Sequence, residues 1–178
     1  MGAGKSSVGR ALGQRLNWLF EDLDDRVEQR EGRRIAEIFR DSGEPAFRRA
    51  ERLALEQAIE ELQGGVFKII ALGGGAFAQP EVAELIEASG MHTVFLDAPV
   101  EELWQRCRQQ AAEAKAERPL LSNIDQFRQL YESRRRSYRN ASLKIQTGSR
   151  TVHAIAEEIA EKLGLESIAL RTESGEAE

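Results

Sequence analysis

The chain opens on Gly2-Ala3-Gly4-Lys5-Ser6-Ser7, and a helical pattern starts at once, with Val8, Leu12 and Leu16 at helix spacing. This is the distal part of the phosphate-loop pattern G-x-x-x-x-G-K-[ST], whose first glycine would lie two residues ahead of Met1. Such a loop constrains the fold strongly. Glycines allow close backbone approach to an anion, amide N–H groups and the positive helix end face it, Lys5 reaches β- and γ-phosphates, and Ser6 can ligate Mg²⁺. An accidental Gly-Lys-Ser at a helix start is the plain alternative. Five matching residues at the mouth of an amphipathic helix weigh against it.

The remaining segments alternate. Trp18-Leu19-Phe20 reads as a short strand, Ile35, Ile38 and Phe39 as a small helix, Gly43 as a break, and residues 44–62 as a longer helix. Residues 66–72 form a nearly continuous apolar strand that runs into Gly73-Gly74-Gly75, as suits a parallel sheet covered on both faces. Pro80 opens a helix, 93–96 is a strand, Pro99 marks the first position of another helix, 124–138 is helical, 143–146 is a strand, and 151–163 is an amphipathic helix. The expected class is therefore α/β with a parallel sheet, in a single domain over 1–165. The short-side-chained, charged stretch at 111–117 reads as a flap, within a lid at about 111–124, and 166–178 as a disordered tail.

Composition excludes most other classes. Twenty-five basic against thirty acidic residues give a net charge of −5, so the cationic surface of a nucleic-acid binder is absent. No apolar run has the length that spans a bilayer, and no secretory pattern leads the chain, so a soluble cytoplasmic protein is expected. Cys107 has no second thiol to pair with and reads as inert. His92 and His153 lack base or metal spacing, and Trp18 and Trp104 read as core.

Asp22 and Asp24 follow a strand two residues apart, so in extended chain both carboxylates project to one side. Beside a phosphate loop they can divide two tasks, one holding a metal's water and one accepting a proton from a hydroxyl. Asp25, three residues before Glu28, reads as a helix N-cap with its capping-box partner. Among many arginines Arg118 stands out, because Pro119 fixes a turn beside it and could swing its guanidinium onto phosphate charge.

The series Gly2-Ala3-Gly4-Lys5-Ser6-Ser7, Asp22-Leu23-Asp24, Ile35-Ala36-Glu37-Ile38-Phe39, Gly43-Glu44, Phe47-Arg48-Arg49-Ala50-Glu51, Leu72-Gly73-Gly74-Gly75 and Arg118-Pro119-Leu120-Leu121 closely resembles the shikimate kinase family. The likeness runs from Met1 to about Leu163. It implies a three-layer P-loop kinase fold of the nucleoside monophosphate kinase type and transfer of the ATP γ-phosphoryl to the 3-hydroxyl of shikimate, in aromatic amino acid biosynthesis. It implies that Gly2, Ala3, Gly4, Lys5, Ser6 and Ser7 cradle ATP, that Ser6 ligates Mg²⁺, and that Asp22 acts through the metal's water shell. Asp24 would bind the ring hydroxyls and serve as base. Arg48 and Arg134 would grip the carboxylate, Gly74 and Gly75 would offer backbone contacts, Arg118 would close on the phosphates, and Arg106 would stack on adenine. The Arg134-Arg135-Arg136-Ser137-Tyr138 run departs from the family's R-x-P-x-Y, which leaves Arg135 as a second candidate for the carboxylate. A small-molecule substrate, no nucleic acid, no membrane and a monomer are expected. The competing readings are a related small-molecule kinase, against which Asp22, Asp24 and Arg48 weigh, and an inactive nucleotide-binding remnant.

The family's sheet also carries a central first strand between 66–72 and 93–96. The expectation here is a start placed at an internal methionine. A chain beginning at Met1 would then fold poorly, or the two neighbouring strands would collapse together and displace the phosphate loop.

Overall fold

The computed structural model describes residues 2–113 and 123–167. Its helices are α1 (Lys5–Leu16), α2 (Leu23–Glu31), α3 (Ile35–Gln63), α4 (Pro80–Ser89), α5 (Val100–Glu113), α6 (Ile124–Tyr138) and α7 (Val152–Leu163), and its strands are β1 (Leu19–Asp22), β2 (Lys68–Ala71), β3 (Val94–Asp97) and β4 (Leu143–Gln146). The expected alternation is present, and most boundaries fall within two residues of those read from the sequence. Pro99 precedes α5 rather than opening it, and its carbonyl accepts from Leu103 N–H at 3.1 Å. Gly43 breaks α3 as expected, at φ 74° and ψ 172°, and Pro45 lies in the first turn of the resumed helix, where its missing N–H costs nothing.

The strands form two parallel pairs. β1 pairs with β2, Leu19 to Lys68 through Asp22 to Ala71, and β3 pairs with β4, Val94 to Leu143 through Asp97 to Gln146. Neither pair is bonded to the other, so β2 and β3 have not collapsed together, which was one of the two expected outcomes. Helix α1 spans both halves. Val8, Leu12 and Leu16 share a core with Leu96, Ile145, Ile155 and Ile159, whereas its Gly9 and Gly13 lie against Phe20 and Ile69. A second core joins Leu23 and Val27 to Ile38, Phe47, Leu55 and Ile59, and a third joins Leu103 and Cys107 to Phe127 and Tyr131. Cys107 is buried there, and Trp104 meets Phe127 edge-on. Among the described residues no helix is long and apolar enough to cross a membrane.

The β3–β4 half is fastened by one buried carboxylate. Asp97, 2% exposed, accepts from the Tyr131 hydroxyl, from Arg135 at 3.1 Å and from Gln146 at 3.2 Å, and pairs with Lys144 at 2.9 Å. Burial alone would raise this carboxyl, but the donors around it outweigh burial and hold it down at about 2. A carboxyl lowered in the folded state stabilises above its unfolded value and loses that contribution as pH falls toward the folded value. Asp97→Asn should therefore cost about 2 kcal/mol near neutrality. In urea melts the gap between the two proteins should close between roughly pH 4 and pH 2; a gap independent of pH would show that the charge is not what fastens the strands.

Candidate active site

The start of α1, the end of β1, the start of α2 and the turn after β2 meet at one place. Gly2 and Gly4 take left-handed backbone, at φ 64° and 81°, and turn the chain so that Lys5 starts the helix. Ala3 packs toward both the α1–α7 core and the α5–α6 core, while Ser7 is on the exposed side. The Ser6 hydroxyl donates to Asp22 Oδ2 at 2.8 Å, and Asp22 Oδ1 accepts from the Asp24 N–H at 3.2 Å. Asp22 thus ties the phosphate loop to the end of β1 and caps α2 in the same side chain.

That geometry corrects two expectations. The chain does not stay extended through Asp24: it turns helical at Leu23, whose side chain is fully buried, so Asp24 stands in the first turn of α2. The N-cap is Asp22 rather than Asp25, and Glu28 is spent elsewhere, accepting from Ile35 N–H at 2.9 Å and pairing with Arg34. Asp22 still acts on Asp24. Asp24 is raised above its ordinary value by burial and then by the Asp22 charge, with Lys5 pulling the other way.

The glycines after β2 form the floor. A Cβ on Gly73 would stand 3.0 Å from both Asp24 Oδ1 and Glu51 Oε1, and one on Gly75 would stand 2.8 Å from Arg48 Nη2. The guanidinium of Arg48 therefore lies directly on the Gly75 backbone. Its Nη1 donates to Glu51 Oε2 at 2.8 Å, and Nε and Nη2 donate to Glu44 at 3.2 and 2.9 Å. Glu51 is 1% exposed, and its carboxyl is raised by burial although Arg48 and Arg134 oppose this. Sequence reasoning gives Glu51 and Gly73 no role, although both stand in the motifs that carry the resemblance. A glutamate three residues from an arginine on an otherwise apolar helix face is the available signal.

Helix α6 supplies the far wall. Arg134 lines the same cavity as Lys5, Gly73, Gly74 and Tyr138, and the Tyr138 hydroxyl donates to the Gly74 carbonyl. Arg135 is committed to Asp97 instead. Arg106 stands apart, held by Glu102 at 3.1 Å and by the Gly148 carbonyl in the loop after β4. Arg118 and most of the expected lid fall outside the described residues. Lys5, Ser6, Asp22, Asp24, Arg48, Gly74, Gly75 and Arg134 are thus gathered, with small hard oxygen donors at one end and guanidinium groups at the other.

A family profile described as shikimate kinase matches residues 1–164. This chain belongs to the shikimate kinase family. It is 38% identical over 169 residues to a shikimate kinase of Thermus thermophilus, covering 92% of this chain and 85% of the relative, and 34% identical over 160 residues to that of Persephonella marina, covering 89% and 92%. Among solved structures it is similar to shikimate kinase from Aquifex aeolicus, with a TM-score of 0.78, 34% identity and 92% of each chain covered. It is also similar to the Acinetobacter baumannii enzyme in complex with shikimate, with a TM-score of 0.77, 32% identity and 92% and 88% covered. The P-loop kinase architecture expected from sequence is therefore the fold of this chain, and the family is one of ATP-dependent phosphotransferases.

The loop glycines of this shikimate kinase family member differ in what a side chain would cost. A Cβ on Gly2 would come within 2.6 Å of the Leu103 carbonyl oxygen, whereas on Gly4 it would find nothing nearer than Val8 Cγ2 at 4.0 Å. Gly4→Ala should cost only the left-handed backbone penalty of about 1 kcal/mol. Gly2→Ala should cost clearly more, because it also pushes the loop off α5. Urea denaturation of the two variants measures the difference; equal losses would mean that the loop is free to move away from Leu103.

Proposed function

We propose that this protein transfers the γ-phosphoryl group of ATP to the 3-hydroxyl of shikimate, and that the residues gathered above carry the reaction. The observation that carries the reading is the juxtaposition on one glycine floor of a half-buried carboxylate, Asp24, and a pre-held guanidinium, Arg48, facing the phosphate loop at Lys5. An acidic, polyhydroxylated ring suits that pairing. Its carboxylate is gripped by Arg48 and Arg134 through charge-assisted, geometrically matched bonds, and Gly74 and Gly75 offer backbone groups alongside.

Asp24 binds the ring hydroxyls and takes the proton of the 3-hydroxyl as its oxygen attacks the γ-phosphorus. The bond from that phosphorus to the bridging oxygen breaks, and ADP leaves. Burial and the Asp22 charge make Asp24 a stronger base than an exposed aspartate. Lys5, the loop amides from Gly2 to Ser7 and the N-terminus of α1 offset the charge on the transferring phosphoryl. Arg118 closes on the same phosphates, and Arg106, steadied by Glu102 and Gly148, stacks on adenine. The Ser6 hydroxyl and the Asp22 carboxylate, 2.8 Å apart, fit Mg²⁺, which takes few protein oxygens and completes its shell with water and phosphate. When bound, Mg²⁺ neutralises charge on the β- and γ-oxygens. We further assign the protein to the cytoplasm as a monomer with a small-molecule substrate and neither nucleic acid nor membrane as partner.

A coupled ADP-release assay with shikimate and a set of competing hydroxy acids tests the activity, and the absence of release above background would overturn it. Asp24→Asn should lower turnover by about 10²–10⁴-fold while ATP binding stays near that of the parent.

Two neighbouring arginines give a sharper test. Arg134→Ala should raise the KM for shikimate by about tenfold or more, the loss expected of a charge-assisted contact. Arg135→Ala should lower thermal stability, since it strips a donor from Asp97, and should change that KM by less than about twofold. The reverse pattern in steady-state kinetics would assign the carboxylate to Arg135.

A further inference from the structure

The glycine floor is a tight turn from Gly73 to Ala76, closed by the Ala76 N–H on the Gly73 carbonyl at 3.1 Å. Gly74 and Gly75 are its central residues, and Gly75, at φ −109° and ψ −13°, has the backbone expected at the second central position of a type I turn. Two central glycines leave the turn type open. A type II turn differs by a flip of the middle peptide and needs φ of about +80° at that second position, which glycine adopts freely and other residues avoid. The middle peptide here carries the Gly74 carbonyl and the Gly75 N–H. It is trans, so these two groups point in opposite directions, and whatever turns the carbonyl one way aims the N–H the other.

Tyr138, the last residue of α6, turns the carbonyl, because its hydroxyl donates to the Gly74 oxygen. Phe95 of β3 holds the tyrosine ring in place, with centroids 5.1 Å apart and planes at 45°. Burial raises the hydroxyl above its ordinary value, with the Arg134 charge opposing, so it remains a donor at neutral pH. Arg134 itself lies one turn earlier on the same face of α6. No carbonyl among the described residues accepts from the Gly75 N–H, and the Arg48 guanidinium lies against the same glycine.

We propose that Tyr138 is a positioning residue for the acceptor substrate: its hydroxyl holds the 73–76 turn in the type I form, in which the Gly75 N–H, rather than the Gly74 carbonyl, is offered to an oxygen of the bound acid. This role rests on the function proposed above. The chemistry of the substrate gives the lock its purpose. An N–H donor suits an anion gripped by Arg48 and Arg134, whereas a carbonyl oxygen in the same place would repel it. Without the tyrosine hydroxyl the two glycines are free to populate both turn types, and a site that is competent only in one of them binds more weakly by the fraction of the population lost. Tyr138 touches no reacting atom in this scheme, since its one proton is spent on Gly74.

The test compares the parent with Tyr138→Phe, which keeps the ring on Phe95 and removes only the hydroxyl. Steady-state kinetics, thermal melts and the amide resonance of Gly75 in protein labelled with isotopic glycine are read on both. The variant should raise the KM for shikimate about threefold to tenfold, the shift that one neutral hydrogen bond imposes on such an equilibrium, and leave kcat and the KM for ATP within about twofold. In the free protein the Gly75 resonance should be a single sharp line in the parent and broadened or split in the variant. A purely structural role would lower the melting temperature and move both KM values together, and that pattern would overturn the proposal. An unchanged Gly75 resonance would overturn it too. A parent that phosphorylates shikimate beside a Tyr138→Phe variant with the same KM would overturn the positioning role alone, whereas a parent that releases no ADP with shikimate would overturn the proposed function and this role with it.

Discussion

The closeness of α1 to β1 is the constraint on which the rest of the structure depends. A Cβ on Gly9 would stand 2.5 Å from the Phe20 ring, and one on Gly13 would stand 2.9 Å from the Trp18 carbonyl oxygen. The two glycines lie four residues apart, on one face of the helix. Any larger side chain there would lift the helix from the strand. Only at this approach can Ser6 reach the Asp22 carboxylate, and Asp22 in turn cap α2 and set Asp24 at the start of it. The neighbouring face of α1, Val8, Leu12 and Leu16, is packed into the α7 core. One helix therefore joins two strand pairs that share no hydrogen bond.

Charge within the site is arranged in advance of any ligand. Glu51 is buried and spends one oxygen on Arg48, which orients the guanidinium over Gly75 and leaves it less to reorganise on binding an anion. A second acid, Asp24, lies across Gly73 from Glu51. Both carboxyls are raised chiefly by burial; the Asp22 charge raises Asp24 further and the Asp24 charge raises Glu51 further, while a nearby cation opposes each, Lys5 for Asp24 and Arg48 for Glu51. Glycine at 73 permits this crowding, because a methyl group would meet both oxygens at 3.0 Å. The outer ion pairs are different in kind. Arg26 and Lys68 share Glu21 and Glu61 and pin α2, α3, β1 and β2 to one another at a distance from the glycine floor.

Local chemistry is legible in the sequence, and juxtaposition is not. The glycine loop, the break at Gly43, the helix at 124–138 and the strand at 143–146 follow from periodicity and from residues with special backbone needs, so they read correctly. Asp22 and Asp24 are conspicuous as a pair of carboxylates after a strand, but alternation misjudges their relation: it assumes extended chain, and Asp22 ends the strand by capping the next helix. Gly9, Gly13, Glu51 and Asp97 each look ordinary along the chain. Their meaning lies in what stands opposite, Phe20 and Trp18 for the glycines, Arg48 for Glu51, and four donors from α6 and β4 for Asp97. Arg134 and Arg135 cannot be separated by spacing, because neighbouring residues on a helix differ by about 100° in direction, and only the buried Asp97 decides which of them turns away from the cavity.

The bridging role of α1 ties the phosphate loop to the packing of both strand pairs. Its first turn carries Lys5 and Ser6, its middle carries the glycines on β1 and β2, and its last turn closes with Trp18 N–H on the Gly13 carbonyl at 2.9 Å. A ligand that draws Lys5 and the loop amides toward it therefore pulls on the same rigid rod that aligns the two halves. Because an α-helix resists compression and its apolar face is interlocked with α7, that pull cannot be absorbed within α1. It passes instead to β1 through Ser6 and Asp22, and through the Asp22 cap to α2 and Asp24. The position of the phosphate loop and that of Asp24 are thus linked through one hydrogen-bonded carboxylate, Asp22, which also sets where α2 begins.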